Sequence, residues 1–105
     1  MGRKKDKKIE EFIKRLKKKF RIYKVILFGS RAYGEPLKNS DYDLIIVSDD
    51  FKNIRFIDRT KIVSKLWKHW ETPLEALCYT IEEFEEKKKG INIVSEAVKK
   101  GIEIV

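Results

Sequence analysis

Residues 28–47, FGSRAYGEPLKNSDYDLIIV, hold the pattern that decides the fold of this 105-residue chain. Gly29 and Ser30 follow one apolar run, and Asp41 and Asp43 lead into a second. A small domain needs neither pair merely to fold, because neighbouring carboxylates repel one another and glycine weakens regular structure. The stretch therefore predicts two neighbouring strands whose ends meet at a binding site.

The two aspartates predict a metal site. Alternate side chains of an extended backbone point the same way, so Asp41 and Asp43 present two carboxylates to one side at the start of a strand. Hard oxygen ligands suit Mg²⁺, which usually takes one or two carboxylates together with substrate phosphates. The alternative, two solvated acids in a turn, stays open for this motif taken by itself.

Gly29 and Ser30 predict a seat for phosphate. Glycine at the end of a strand permits close approach of the backbone, and a serine at a helix N-terminus offers its hydroxyl beside unpaired N–H groups. An ordinary strand-to-helix turn would look the same. The combination with Asp41 and Asp43 favours a site for a metal ion and a triphosphate.

Glu75 is the candidate for a third acid. It lies within the predicted strand PLEALCYT, where a charged side chain among apolar neighbours is costly unless it faces a site. Two-metal phosphoryl transfer shares ligands between the attacking and leaving sides, and this requires a further carboxylate. The alternative is a solvent-facing residue on a half-exposed strand.

The remaining sequence predicts an α/β (α+β) fold, with helices packed on a small mixed sheet. Apolar residues at helical spacing predict an amphipathic first helix, and Asn53 is expected to cap a helix with Val63, Leu66, Trp67 and Trp70 on its inner face. Of two later helices, the first is expected to begin with a capping box at Thr80 and the second to end at Gly101. The predicted helices are 6–20, 30–34, 54–70, 81–90 and 91–100, and the predicted strands are 22–28, 43–47, 73–79 and 102–105.

Composition and charge limit the function classes. The length leaves room for one modest core, so residues 1–105 are expected to form a single domain. A lone cysteine and apolar runs of at most four residues indicate a cytoplasmic protein without membrane insertion. The net charge is +8, and residues 1–24 carry 12 basic against 3 acidic residues. That segment is interpreted as a solvated lysine face, with nucleic-acid binding as the alternative.

The stretch LFGSRAYGEPLKNSDYDLIIV resembles the minimal nucleotidyltransferases (MntA-type) of the DNA polymerase beta superfamily. The resemblance is specific over residues 25–47 and implies the polymerase-beta-like palm fold. It implies that Gly29 and Ser30 hold the nucleotide's phosphates and that Asp41, Asp43 and Glu75 bind two Mg²⁺ ions for catalysis. Arg31 and Lys38 are nearby cations that could contact phosphate, and a surface role is favoured for Lys38.

The resemblance also implies a biological role. Family members commonly pair with a helical HEPN protein as toxin and antitoxin, and the antitoxin can transfer AMP from ATP to a tyrosine of the toxin. A chain of this length holds only the catalytic module, so a partner chain or self-association is expected to present the acceptor. The competing hypotheses are a non-catalytic antitoxin that neutralises its partner by binding, and a nucleic-acid-binding protein that uses residues 1–24.

Other chemically suggestive residues are interpreted as structural. His69 has no second histidine or cysteine nearby in sequence, so a zinc site is not expected. Cys78 is interpreted as a small core residue of a strand. Tyr33 could stack on a nucleotide or cover the end of the strand, and both interpretations stay open.

Overall fold

A computed structural model describes residues 6–29, 32 and 41–105. In these residues an α+β architecture of helices on a mixed sheet is confirmed. Within the described part of the chain, no helix is both long and apolar enough to cross a membrane. The helices are α1 Lys7–Lys19, α2 Phe56–Ser64, α3 Ile81–Lys87 and α4 Ile93–Lys100, with a 3-10 turn at Asp49–Phe51, and the strands are β1 Lys24–Phe28, β2 Tyr42–Val47, β3 Leu74–Tyr79 and β4 Ile102–Glu103.

The sheet has the strand order β3-β2-β1-β4. Strand β1 runs antiparallel to both β2 and β4, whereas β2 and β3 run parallel. Parallel neighbours require a crossover connection, and α2 lies within the segment that joins them. The prediction that the first two strands are sheet neighbours is confirmed.

Each face of the sheet carries its own apolar core. On one face, Leu44 and Ile46 of β2 pack in a cluster with residues of α1 and with Val63 of α2. On the other face, Ile45 and Val47 pack with residues of α3 and α4. Strand β2 is therefore covered on both sides, as its continuous apolar sequence predicts.

Helix α1 forms as its sequence predicts. The side chain of Asp6 accepts hydrogen bonds from the backbone N–H groups of Lys8 and Ile9, at 3.0 and 3.3 Å, and so caps the helix. The predicted apolar stripe is buried, and its members are Ile9, Phe12, Ile13, Leu16 and Phe20.

The predicted helix over 54–70 is wrong in both its cap and its length. Asn53 adopts a positive φ of 68° and does not cap a helix, and α2 ends at Ser64. The chain then turns so that the indole N–H of Trp67 donates to the carbonyl of Thr72 at 2.8 Å. Trp67 still packs on the core, but Trp70 is 91% exposed and is not part of an inner stripe.

The C-terminal third follows the prediction closely. Thr80 and Glu83 form the predicted capping box of α3, which ends at Lys87 rather than at Gly90. Helix α4 begins later than expected, because the side chain of Asn92 caps it, and ends at Gly101. The closing strand β4 lies at the edge of the sheet and is shorter than predicted.

Candidate active site

Gly29 and Asp43 meet where β1 ends and β2 begins. Phe28 and Asp43 are opposite one another in the antiparallel ladder, so Gly29 follows immediately beside the aspartate. Gly29 has a φ of +78°, and a Cβ added to it would collide with Oδ2 of Asp43 and lie 3.2 Å from its Cγ. Glycine is required here both for the backbone conformation and for the close approach of the carboxylate.

Glu75 lies beside Asp43 in the neighbouring strand. The two residues are partners in the parallel β2–β3 register, and the neighbouring Glu75 helps to raise the pKa of Asp43. The strands thus bring together two acids that are 32 positions apart in sequence.

The crowding of negative charge changes the titration of Asp43. Its partial burial, the hydrogen bond from Glu75, and the charges of Glu75 and Asp41 raise the pKa of Asp43 from 3.8 to about 6. Each of these influences acts in the same direction. The site is therefore electrostatically poised to receive a cation.

The middle residue of the Asp-x-Asp motif anchors this end of β2. The ring of Tyr42 is buried and packs 5.1 Å from the ring of Trp67. Its hydroxyl donates to the carboxylate of Asp6 at 2.6 Å, and its backbone N–H donates to the carbonyl of Pro73 at 2.9 Å. Sequence reasoning missed this role, although strict alternation within the motif directs the tyrosine away from the acids and into the core.

Several predicted site residues lie outside the described residues. Ser30, Arg31, Tyr33 and Lys38 are among them, as is nearly all of the predicted turn and loop between β1 and β2. On the described side of that connection, the N–H of Ala32 donates to the carbonyl of Gly29 at 3.0 Å.

Comparison with known proteins identifies the family of the chain. The family model described as the nucleotidyltransferase domain matches residues 9–100. The chain belongs to the nucleotidyltransferase domain family. This nucleotidyltransferase is 39% identical over 85 residues to a predicted protein adenylyltransferase of Methanocaldococcus jannaschii, a match that spans 78% of this chain and 80% of the relative.

A solved structure gives the same assignment at the level of the fold. A predicted nucleotidyltransferase from Sulfolobus solfataricus is 25% identical and superposes with a TM-score of 0.62 over 82% of this chain and 84% of that one. The predicted family and fold are thus confirmed, and the chain is a nucleotidyltransferase. Enzymes of this kind use nucleoside triphosphates and divalent metals.

The carboxylates of the nucleotidyltransferase suit a hard divalent cation, although they do not form a complete coordination site. Among the described residues, no three His, Cys, Asp or Glu side chains stand as a metal-binding group. Asp43 and Glu75 instead lie side by side on neighbouring strands, and Asp41 is exposed. A cation bound between these acids would offset the repulsion that helps to raise the pKa of Asp43, so the donor set fits Mg²⁺.

The remaining reactive side chains lie elsewhere. Cys78 is fully buried, and this burial raises the pKa of its thiol to about 12, which makes it an inert core residue. His69 is not helical, and its ring packs 5.2 Å from that of Trp67 while Nε2 lies 3.2 Å from Oε1 of Glu11. Its interpretation as a structural or surface residue agrees with these contacts.

Proposed function

We propose that this nucleotidyltransferase moves AMP from ATP to a hydroxyl group of a partner protein, with Mg²⁺ as its cofactor. One observation supports this proposal above the others. Asp43 and Glu75 occupy paired positions of neighbouring strands beside Gly29, and the pKa of Asp43 is raised to about 6. A pair of acids without a neutralising cation has no benefit for folding and is typical of a metal-dependent site.

The proposed reaction is an in-line displacement. The acceptor oxygen bonds to the α-phosphorus, the bond from that phosphorus to the bridging oxygen breaks, and pyrophosphate leaves. Above a pH of about 6, Asp43 is ionised and can accept the proton of the hydroxyl. Two Mg²⁺ ions, one held by Asp41, Asp43 and Glu75 and the other by Asp41 and Asp43, would lower the pKa of the hydroxyl and offset the charge of the triphosphate.

The phosphates are assigned to the end of β1. Gly29 has no side chain, and the carboxylate of Asp43 fills the space that one would take, so the end of β1 lies directly beside this acid. Ser30 and Arg31 follow directly in the sequence, and we propose that they contact the phosphates. Arginine suits this task because its planar group binds phosphate through two parallel hydrogen bonds.

A protein acceptor is supported by the relative named as a protein adenylyltransferase. From the resemblance to minimal nucleotidyltransferases, we propose that the acceptor is a tyrosine of a helical HEPN-type toxin and that this chain is its antitoxin. The reaction would take place in the cytoplasm, where ATP is available. Co-expression with such a partner should yield a complex whose toxin carries one added AMP by mass spectrometry.

Label transfer tests the site itself. The chain is incubated with ATP labelled at the α-phosphate, Mg²⁺ and host lysate, and labelled proteins are identified after electrophoresis. We expect Asp43→Asn and Glu75→Gln to lower the transfer rate by about 100-fold or more, because charge stabilisation in the transition state is lost. Glu82→Gln, which changes an exposed acid on α3, should leave the rate unchanged. Equal transfer by all variants would refute the site.

A further inference from the structure

An apolar groove lies on the sheet face that is covered by α3 and α4. It consists of two adjoining hollows that share Ile93 at the start of α4. The larger has a volume of about 570 Å³ and is lined by Phe56, Leu77 and Tyr79 among others. The smaller has a volume of about 330 Å³ and is lined by Phe28 and Ile91 among others. These six residues define the groove.

Two lining residues, Phe28 and Leu77, place the groove next to the acids of the candidate active site. Leu77 follows Glu75 by two positions in β3, so both side chains point to the same face and lie roughly 7 Å apart along the strand. Phe28 is the register partner of Asp43 in the neighbouring ladder. A molecule seated in the groove would therefore reach the Asp43–Glu75 pair at one end.

The chemistry of the groove favours an apolar occupant over a nucleobase. Glu83 at its wall is already paired with Arg59 at 2.6 Å. The amide of Asn92 donates to the carbonyl of Lys87 at 2.9 Å, and its oxygen accepts from the N–H of Ser95 at 3.1 Å. A base or a sugar needs hydrogen bonds at its edges, and these wall groups already have their partners. The apolar side chains, by contrast, have exposed surface to offer, since Ile91 is fully exposed and Ile93 is 58% exposed.

The charge at the groove favours acidic residues in its occupant. Glu83 and Glu96 both line it, and each is neutralised by a basic side chain, Arg59 and Lys100 respectively. Lys87 also lines the larger hollow, and among the described residues it takes part in no ion pair. Lys87, whose ammonium lies 5.8 Å from the centre of the Tyr79 ring, is therefore the charged lining residue without a carboxylate partner in the described part of the chain, and it can face an acidic residue of the occupant.

We infer that this groove docks the protein acceptor, by holding an apolar segment with a flanking acidic residue next to the hydroxyl that receives AMP. This inference rests on the proposed function and adds the recognition surface to it. The apolar side chains of the acceptor fill the two hollows, its acidic residue faces Lys87, and its hydroxyl is directed toward Asp43 and Glu75. An extended segment can occupy both hollows at once, whereas a single base cannot.

Peptide binding without nucleotide tests the groove separately from catalysis. The first probe is a capped peptide of glutamate, phenylalanine, tyrosine, leucine and glutamate, and the second replaces phenylalanine and leucine by glycine. Binding is followed through the methyl NMR signals of Ile91, Ile93 and Leu77. We expect the first peptide to shift these signals and to bind at least tenfold more tightly than the glycine peptide. Because no nucleotide is present, failure of AMP transfer would leave this result interpretable.

Variants identify the surface. Ile93→Glu and Ile91→Glu place charge on exposed groove positions and should weaken binding of the first peptide at least tenfold. Val98→Glu makes the same change on an exposed residue of α4 outside the groove and should leave binding unchanged. Lys87→Glu should reverse the preference, so that a peptide flanked by lysines binds better than one flanked by glutamates.

Three results would overturn the inference. The first is the absence of any shift at the groove methyls with the apolar peptide. The second is displacement of this peptide by ATP, with the same methyls shifting, which would make the groove a nucleoside site. The third is a concentration-dependent shift of these methyls without peptide, accompanied by dimer formation in sedimentation, which would make a second copy of this chain the occupant.

Discussion

At the scale of single residues, ionisation of Asp43 lowers the folding stability of the metal-free protein. The folded protein holds a proton on this group more tightly than the unfolded chain, because its pKa is raised from 3.8 to about 6. The folded state therefore binds more protons between these values, and its stability falls as the pH rises from about 4 to about 6. Asp43→Asn should stabilise the metal-free protein at pH 8 by about 1 kcal/mol, after allowance for solvent screening at this half-exposed site.

Urea unfolding of both proteins in EDTA at pH 8 and at pH 4 measures this effect. The difference should disappear at pH 4, where the wild-type carboxyl is itself protonated. Asp58 provides a control of opposite sign, since its hydrogen bond to Arg55 lowers its pKa. Asp58→Asn should give no gain at pH 8. A loss of stability for Asp43→Asn at pH 8 would contradict the repulsion described above.

Both its backbone conformation and its contact with Asp43 require glycine at position 29. Alanine at this position would have to adopt the φ of +78° and would drive its methyl group into the carboxylate of Asp43. Gly29→Ala should lower the free energy of unfolding by about 1–2 kcal/mol from the backbone alone and should also reduce AMP transfer, because Asp43 must move. Gly90→Ala is a milder change, since the added carbon meets the flexible amide of Asn92 at 3.0 Å. Equal effects of the two substitutions in urea unfolding would refute this account of Gly29.

At the scale of elements, Arg59 ties α2 to β3 and α3. Its guanidinium is buried and donates to the backbone carbonyls of Ile54 and Cys78 and to the carboxylate of Glu83. Arg59→Met should lower the free energy of unfolding by about 3 kcal/mol, because it leaves these acceptors without their donor. Arg55→Met, which removes an exposed ion pair with Asp58, should cost far less than Arg59→Met, because water screens the exposed pair.

The same ion pair gives a pH signature. The hydrogen bond from Arg59 lowers the pKa of Glu83 below 4.5, so its contribution is complete above that value and is lost as the pH falls through the folded pKa. The difference between wild type and Arg59→Met should shrink below pH 4 in urea unfolding. A constant difference from pH 7 to pH 3 would show that the Glu83 carboxylate does not contribute to it.

The elements differ in how well their sequences predict them. Helix α1 and strands β1 to β3 are set by local patterns, namely a capping aspartate, an apolar stripe and continuous apolar runs bounded by glycine or proline. The segment after Ser64 is not set by a local pattern, because the hydrogen bond from Trp67 to Thr72 competes with continuation of the helix. Asparagine is a common N-cap residue, but Asn53 adopts a left-handed backbone conformation, which asparagine tolerates better than most residues.

The acids of the candidate site could be predicted from their positions in the sequence. Asp41 and Asp43 stand in a local motif, and Glu75 is conspicuous as a charge within an apolar strand. Their proximity depends on the parallel register of β2 and β3, which no local pattern encodes. The anchoring of Tyr42 by Asp6 is equally non-local, since 36 positions separate them.

At the scale of the whole molecule, the two faces of the sheet present different surfaces. Helix α1, whose last turn is Lys17, Lys18 and Lys19, packs with the cluster on one face. The opposite face carries Phe28 and Leu77 next to α3 and α4, at the end where the acids meet. A polyanion attracted to α1 and an acceptor seated in the groove would therefore approach the sheet from opposite sides.

Asp43 lies on the central strand β2 and Glu75 on its parallel neighbour β3 at the edge of the sheet, so the repulsion between them acts on the pairing of these two strands and on the stability of the fold. Mg²⁺ that binds only the folded chain should raise its free energy of unfolding by about 1.4 kcal/mol at ten times the dissociation constant. For a chain of this size, that gain corresponds to an increase in the melting temperature of roughly 5 °C or more at pH 8. Asp43→Asn should abolish most of this increase, whereas Glu82→Gln should retain it. Differential scanning calorimetry with and without Mg²⁺ measures the shift, and an equal shift in both variants would place the metal away from Asp43.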